Sequence, residues 1–243
     1  LDATLTVLLY SGLAAATAAL GVLPLVSGRK PSLRLIGWAN ALASGLMLGV
    51  AYALLVTGMN RAALSVGAGA LLGMAFVYLT HRAVGTANLD LNRLDDTRPE
   101  YGYQVILLNA LHAAHEGIAI GAGMAVSLSF GILMALALAV HNIPEATILS
   151  SVLTTRGLRL GGAAVLAVAA NALQVLLAVV TFAVAMAAPA VLPWALGFAV
   201  GALIYLVMLE LLPESYREAG HTSIAVVTVV AMGIVVLLRG RGG

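Results

Sequence analysis

The stretch LNALHAAHEGIAIGAGMA (residues 108–125) decides how this chain folds. It is an apolar run close to the roughly 20 residues that cross a bilayer core. Yet it carries His112, His115 and Glu116, with no lysine or arginine among them. A second run, ALAVHNIPEATILSS (137–151), holds His141 and Glu145 in the same way, and a third, LVMLELLPES (206–215), holds Glu210. Ionisable groups at membrane depth are costly and mark ion or proton pathways. Carboxylates close together in low dielectric repel unless a proton or cation lies between them. The polypeptide supplies no basic partner in these runs, so a metal cation is the simplest counter-charge.

The rest of the chain has the same character. Hydrophobic residues make up 62% and charged residues only 9%, against roughly a quarter charged in a soluble domain. The apolar runs are continuous and longer than the roughly ten-residue alternating segments of a membrane barrel. The abundant small residues, 26 of them glycine, let helices approach closely in lipid. The expected fold is therefore an all-α integral membrane protein, a single transport domain over 1–243. About eight helices are expected, at 3–26, 34–57, 62–84, 103–127, 130–154, 160–187, 192–212 and 222–239. The first of these is too long for a signal-peptide core. The longest polar stretch, GTANLDLNRLDDTRPEYG (85–102), reads as a mobile loop. The absence of cysteine excludes disulfides, thiolate-bound zinc and iron–sulfur clusters. The basic residues are scattered over loops, which argues against nucleic acid as a partner.

Orientation follows from those basic residues. Arg29, Lys30, Arg34, Arg82, Arg93, Arg98, Arg156, Arg159 and Arg217 fall on one side of the eight spans; Arg61, Arg239 and Arg241 fall on the other. The richer side is cytoplasmic, which places both termini outside.

On an α-helix, residues four apart lie about 40° apart on one face. His112 and Glu116 therefore point the same way, and His141 and Glu145 repeat the spacing. Two neighbouring helices that each present His-x-x-x-Glu can form a cage of two nitrogens and two carboxylates. Such a donor set suits Zn²⁺, with Fe²⁺, Mn²⁺ or Cd²⁺ as further candidates. Without thiolates the ion is held less tightly, as conduction requires. Binding needs neutral imidazole, so uptake should fall as pH drops through the histidine range. Pro144 removes a backbone donor and frees the Val140 carbonyl, which a membrane helix tolerates where that carbonyl lines a cavity. Singly, His115 reads equally well as a functional group or as a hydrogen-bonding link between helices, whereas Asn142, Gln174, Asn171, Asn40 and Ser44 each read as such links rather than as ligands. Met47 reads as core packing or a thioether ligand. Glu210 reads either as an exit-side relay or as a helix-end carboxylate paired with Arg217.

HNIPEA (141–146) and HAAHEG (112–117) together resemble the paired HNxPEG signatures of the ZIP (Zrt/Irt-like) family of divalent metal transporters. GLAAATAALGVLP (12–24), GFAVGALIYLVMLELLPES (197–215) and GHTSIAV (220–226) are similar to the bacterial GufA-like branch. The resemblance implies eight helices grouped three, two and three, with an inverted repeat between the outer triplets. It implies inward movement of Zn²⁺ or a related ion by alternating access, no cofactor beyond the transported ion, and no enzymatic activity. It also implies a multi-pass place in the inner (plasma) membrane, lipid contact and a homodimer. By position it makes His112, Glu116, His141 and Glu145 the metal ligands, with Met47 a further ligand from the second helix. The chain departs from the pattern at Ala113, His115, Asn142 and Gln174. These departures remove anionic ligands from the second metal position of binuclear members, so one strong site is expected and any second ion should be weak.

Three other functions share features with this sequence. An intramembrane metalloprotease needs HExxH on one helix, and His115–Glu116 begins that pattern, but Ala119 stands where the second histidine belongs. A proton-coupled carrier would use the His/Glu chain as a relay. A metal-binding membrane sensor would use the same cluster without transport.

Overall fold

The computed structural model describes residues 2–28, 31–86 and 98–241. Among them all regular structure is helical. Helix α1 (Ala3–Ala16) continues as a 3₁₀ segment over Thr17–Leu25. Helix α2 (Leu33–Val84) starts at Ser32, whose hydroxyl accepts from the Leu35 amide, and ends at Gly85 in the left-handed conformation. Its 52 residues would span about 78 Å if straight, more than twice a bilayer core. Ala62 interrupts it with non-helical backbone (φ −160°, ψ 88°). The two halves fold back there, since a Cβ on Gly58 would lie 2.7 Å from Val66 Cγ2. Helices α3 (Pro99–Val126) and α4 (Leu128–Thr155) follow, then α5 (Leu160–Ala170) and α6 (Ala172–Ala187). After a short 3₁₀ turn at Pro189–Val191 come α7 (Leu192–Leu206), a π-helical turn at Val207–Leu211, α8 (Leu212–Ala219) and α9 (His221–Arg241).

These elements refine the expected spans. Helix α3 begins at Pro99, which suits the first helical turn because proline's missing donor is not needed there. The expected loop over 85–102 falls largely on 87–97, outside the described residues. The expected span at 160–187 is divided at Asn171, whose side-chain amide donates to the Ala167 carbonyl.

Two packing features position the site. The first is the α3–α4 hairpin, in which Ser127 alone separates the two helices. Its extended backbone turns the chain, and its hydroxyl caps α4 by accepting from the Phe130 amide. The helices leave this turn in such close contact that a side chain on Gly131 would collide with Met124. His112 lies fifteen residues before Ser127 and His141 fourteen after it. At 1.5 Å per residue both sit about 21–22 Å from the turn, so the two motifs meet at one depth.

The second feature is parallel packing of the latter half of α2 against α7. Side chains added at Gly69 and Gly73 would strike the Trp194 and Phe198 carbonyls; those added at Gly197 and Gly201 would strike the Val66 and Ala70 carbonyls. Small residues four apart on both helices allow this backbone contact. Helix α3 lies innermost, packed on α4 and α6. Between the site and the Ser127 turn, an apolar cluster that includes Met47, Val50, Leu54, Ile120, Met134, Leu138 and Leu203 fills the bundle.

Candidate metal centre

Each motif helix brings its histidine and glutamate to one buried point. His112, His115, Glu116 and His141 are all 3% exposed or less. The six side chains in contact form an alternating line that runs from His81 on α2 to Glu116 on α3. His81 Nδ1 lies 2.7 Å from Glu210 Oε1, and Glu210 Oε2 lies 3.4 Å from His112 Nε2. His112 Nδ1 lies 2.8 Å from Glu145 Oε1. Glu145 Oε2 lies 3.5 Å from His141 Nε2, which lies 2.9 Å from Glu116 Oε1.

Within this line are two compact donor groups, each with three ligand atoms within 4.8 Å of one another. Glu116, His141 and Glu145 make a carboxylate-rich triad; His81, His112 and Glu210 make a histidine-rich triad. Tetrahedral zinc with donors at about 2.0–2.1 Å separates those donors by about 3.3 Å. The contacts of 2.9 and 3.5 Å in the first triad, and of 2.7 and 3.4 Å in the second, bracket that value. Few of these contacts are aligned as hydrogen bonds. Both oxygens of Glu116, both ring nitrogens of His141, Glu145 Oε2 and His112 Nε2 are buried without a hydrogen-bond partner. Buried polar atoms are ordinarily paired; a divalent ion would satisfy this set at once.

The structure distributes the sequence-derived candidates over this arrangement. Glu116, His141 and Glu145 lie together. His112 touches Glu145 through one ring nitrogen and approaches Glu210 with the other, so it joins the two triads. Glu210 faces His81 and His112, and the π-helical turn that carries it inserts the extra residue often found at functional sites. Asn142 donates to the Ala14 carbonyl at 2.8 Å and to Gln174 Oε1 at 3.0 Å, linking α4 to α1 and α6. Met47 is fully buried in the apolar cluster, and His115 lies beside His112 with ring centroids 5.8 Å apart.

His81 is the residue that the spacing of motifs does not find. It reads as an isolated histidine at the rim of the polar loop. The signal lies instead in the glycine pairs. Gly197 and Gly201 pack on Val66 and Ala70, an offset of 131 residues; the same parallel register carried along the helices brings position 81 to the turn around 210.

One end of the cluster is accessible. Side-chain exposure is 0% at Glu116, 1% at His141 and 4% at His112 and His81, but 15% at Glu145 and 18% at Glu210, which are the accessible members. A cavity of about 30 Å³ touches His112, His141 and Glu145 and extends along α3 to Asn109 and Val105. It points to the end of the bundle where Arg98 and Arg156 lie.

The chain is similar to known proteins along most of its length. A profile of the family described as ZIP zinc transporter matches residues 94–239. The chain belongs to the ZIP family. It is also 34% identical over 196 residues to an Arabidopsis thaliana protein named "Putative zinc transporter At3g08650", an alignment that takes in 78% of this chain and 31% of that protein. The chain thus spans about a third of the length of this relative. The family match includes both histidine motifs and Glu210, but stops short of His81 and Met47.

Proposed function

We propose that this protein carries divalent cations, zinc foremost, across the membrane by alternating access through the His/Glu line. The observation that carries this reading is the set of buried, unpartnered nitrogen and carboxylate donors in two groups joined by His112. Imidazole with carboxylate matches zinc and its borderline neighbours, and the related protein's name points the same way. The cation enters from outside, is held by Glu116, His141 and Glu145 with His112 alongside, passes to His81 and Glu210, and leaves to the cytoplasm. The orientation with external termini fits this direction. It puts the apolar cluster above the site and the accessible Glu145 and Glu210 below. Because Asn142 and Gln174 are amides bonded to each other, a neighbouring second ion would lack anionic ligands, which favours one principal ion. Plasma-membrane residence and a homodimer are further parts of this reading.

Proteoliposomes loaded with a zinc-sensitive dye provide the test. Wild-type protein should admit zinc, and His141→Ala with Glu145→Ala should abolish the signal. Equal zinc movement in wild type and double variant would defeat the proposal. Proton flux without metal would favour the carrier reading, and zinc binding without flux the sensor.

A further inference from the structure

His115 is the one histidine of the cluster that the alternating line does not use. It is 1% exposed, yet neither Nδ1 nor Nε2 has a hydrogen-bond partner. A neutral imidazole carries one donor and one acceptor, and leaving both unmet inside a protein is costly. A structural histidine would be expected to bridge two helices; this one bridges none. The ionisable groups that bear on it electrostatically are His112, His81, His141 and Glu210. Three of those are the whole histidine-rich triad.

Helix geometry gives it a direction. From His112, Glu116 lies about 40° round α3 one way and His115 about 60° the other. Glu116 points to His141, so His115 points away from the carboxylate-rich triad. Ring spacing also fits shared coordination. An imidazole bound at about 2.05 Å has its centroid about 3.2 Å from the metal, so two on a tetrahedral ion stand about 5.2 Å apart. The centroids of His81 and His112 are 5.8 Å apart, and those of His112 and His115 are also 5.8 Å apart. Both spacings are about 0.6 Å wider than that; His115 stands outside the compact group of His81, His112 and Glu210, so a change of its side-chain rotamer must bring a nitrogen onto the ion they share.

We propose that His115 is a metal ligand, completing with His81, His112 and Glu210 a three-imidazole, one-carboxylate site that favours zinc-like ions over manganese. Three nitrogens and one oxygen suit zinc, copper and nickel, whereas manganese prefers a carboxylate-dominated set. The passage of ions in vivo rests on the transport reading above; the coordination does not.

The test uses the full chain in detergent micelles, with histidine ring nitrogens labelled with ¹⁵N. The chain has five histidines, and His221, stacked on Tyr216 at 5.3 Å away from the site, serves as internal reference. On titration with zinc, the resonances of His115 should move with those of His81 and His112 while His221 stays fixed. His115→Gln assigns the signal and keeps a donor and an acceptor. It should lower the zinc-over-manganese binding ratio by about tenfold or more, in the range that metal-site perturbations produce. His115 resonances that stay fixed while those of His81 and His112 shift would overturn the proposal, and so would an unchanged ratio in the variant. Through-bond correlation from ring to backbone in the wild type assigns His115 independently, so the NMR result holds even if the variant does not fold. Absence of zinc flux in proteoliposomes would instead remove the transport reading and leave the coordination result intact.

Discussion

Replacing Glu116 by glutamine separates metal binding from folding. Glu116 is fully buried, and its Oε1 lies 2.9 Å from His141 Nε2. Glutamine keeps the shape and removes the charge. Without metal, the change relieves the fold of a desolvated carboxylate, and His141 can remain neutral, so thermal stability should hold or rise. With metal, an anionic ligand is lost, and weakening by about 100-fold is the scale expected for a disturbed metal site. At free zinc of 100 times the wild-type Kd, binding stabilises the native state by about 2.7 kcal/mol. The same zinc is then only equal to the variant's Kd, which leaves about 0.4 kcal/mol. About 2.3 kcal/mol of zinc-dependent stabilisation should therefore vanish while metal-free stability does not fall. Thermal unfolding in detergent at buffered free zinc measures both. An undiminished zinc shift in Glu116→Gln would refute the assignment of this carboxylate to the metal.

Three further outcomes follow from the geometry. His81→Ala leaves the Glu116, His141 and Glu145 donors in place, so it should retain zinc binding by calorimetry but slow flux in proteoliposomes at least tenfold, on the scale of a disturbed metal site. Gly201→Leu forces a side chain into the Ala70 carbonyl; it should cost about 1–3 kcal/mol as overpacking and reduce flux by parting His81 from Glu210, whereas Gly12→Leu, which meets nothing within 4 Å, should do neither. Acid opposes binding because protons compete for the imidazoles, whose ordinary pKa is about 6.5. Zinc affinity should thus weaken progressively below that pH, and zinc addition in weak buffer should release protons that a pH dye detects.

Much of this architecture was legible in the sequence. Hydropathy marks the spans because lipid demands continuous apolar helices, and the paired His-x-x-x-Glu spacing predicts shared faces because helical periodicity is local. The break at Asn171 was hidden because a lone polar residue in an apolar run does not announce an interruption of the helix. The pairing of His81 with Glu210 was hidden for a different reason. It depends on the contact between two helices more than a hundred residues apart, which glycines at 69, 73, 197 and 201 encode only as small residues. The π-helical turn at Val207–Leu211 has no composition of its own. The role of His112 as a link between triads likewise required knowing what stands opposite each ring nitrogen.

The Ser127 turn has a mechanical corollary. A one-residue connection between helices in contact at Gly131 and Met124 leaves no slack for α3 and α4 to slide past each other by a helical turn. Their two His/Glu motifs are thus leashed at one end, and on the proposed alternating-access reading the hairpin is displaced as one piece against its surroundings. On that reading a crosslink that ties α3–α4 to the α2–α7 pair beside the contact of His112 with Glu210 should arrest zinc flux while leaving zinc binding in place.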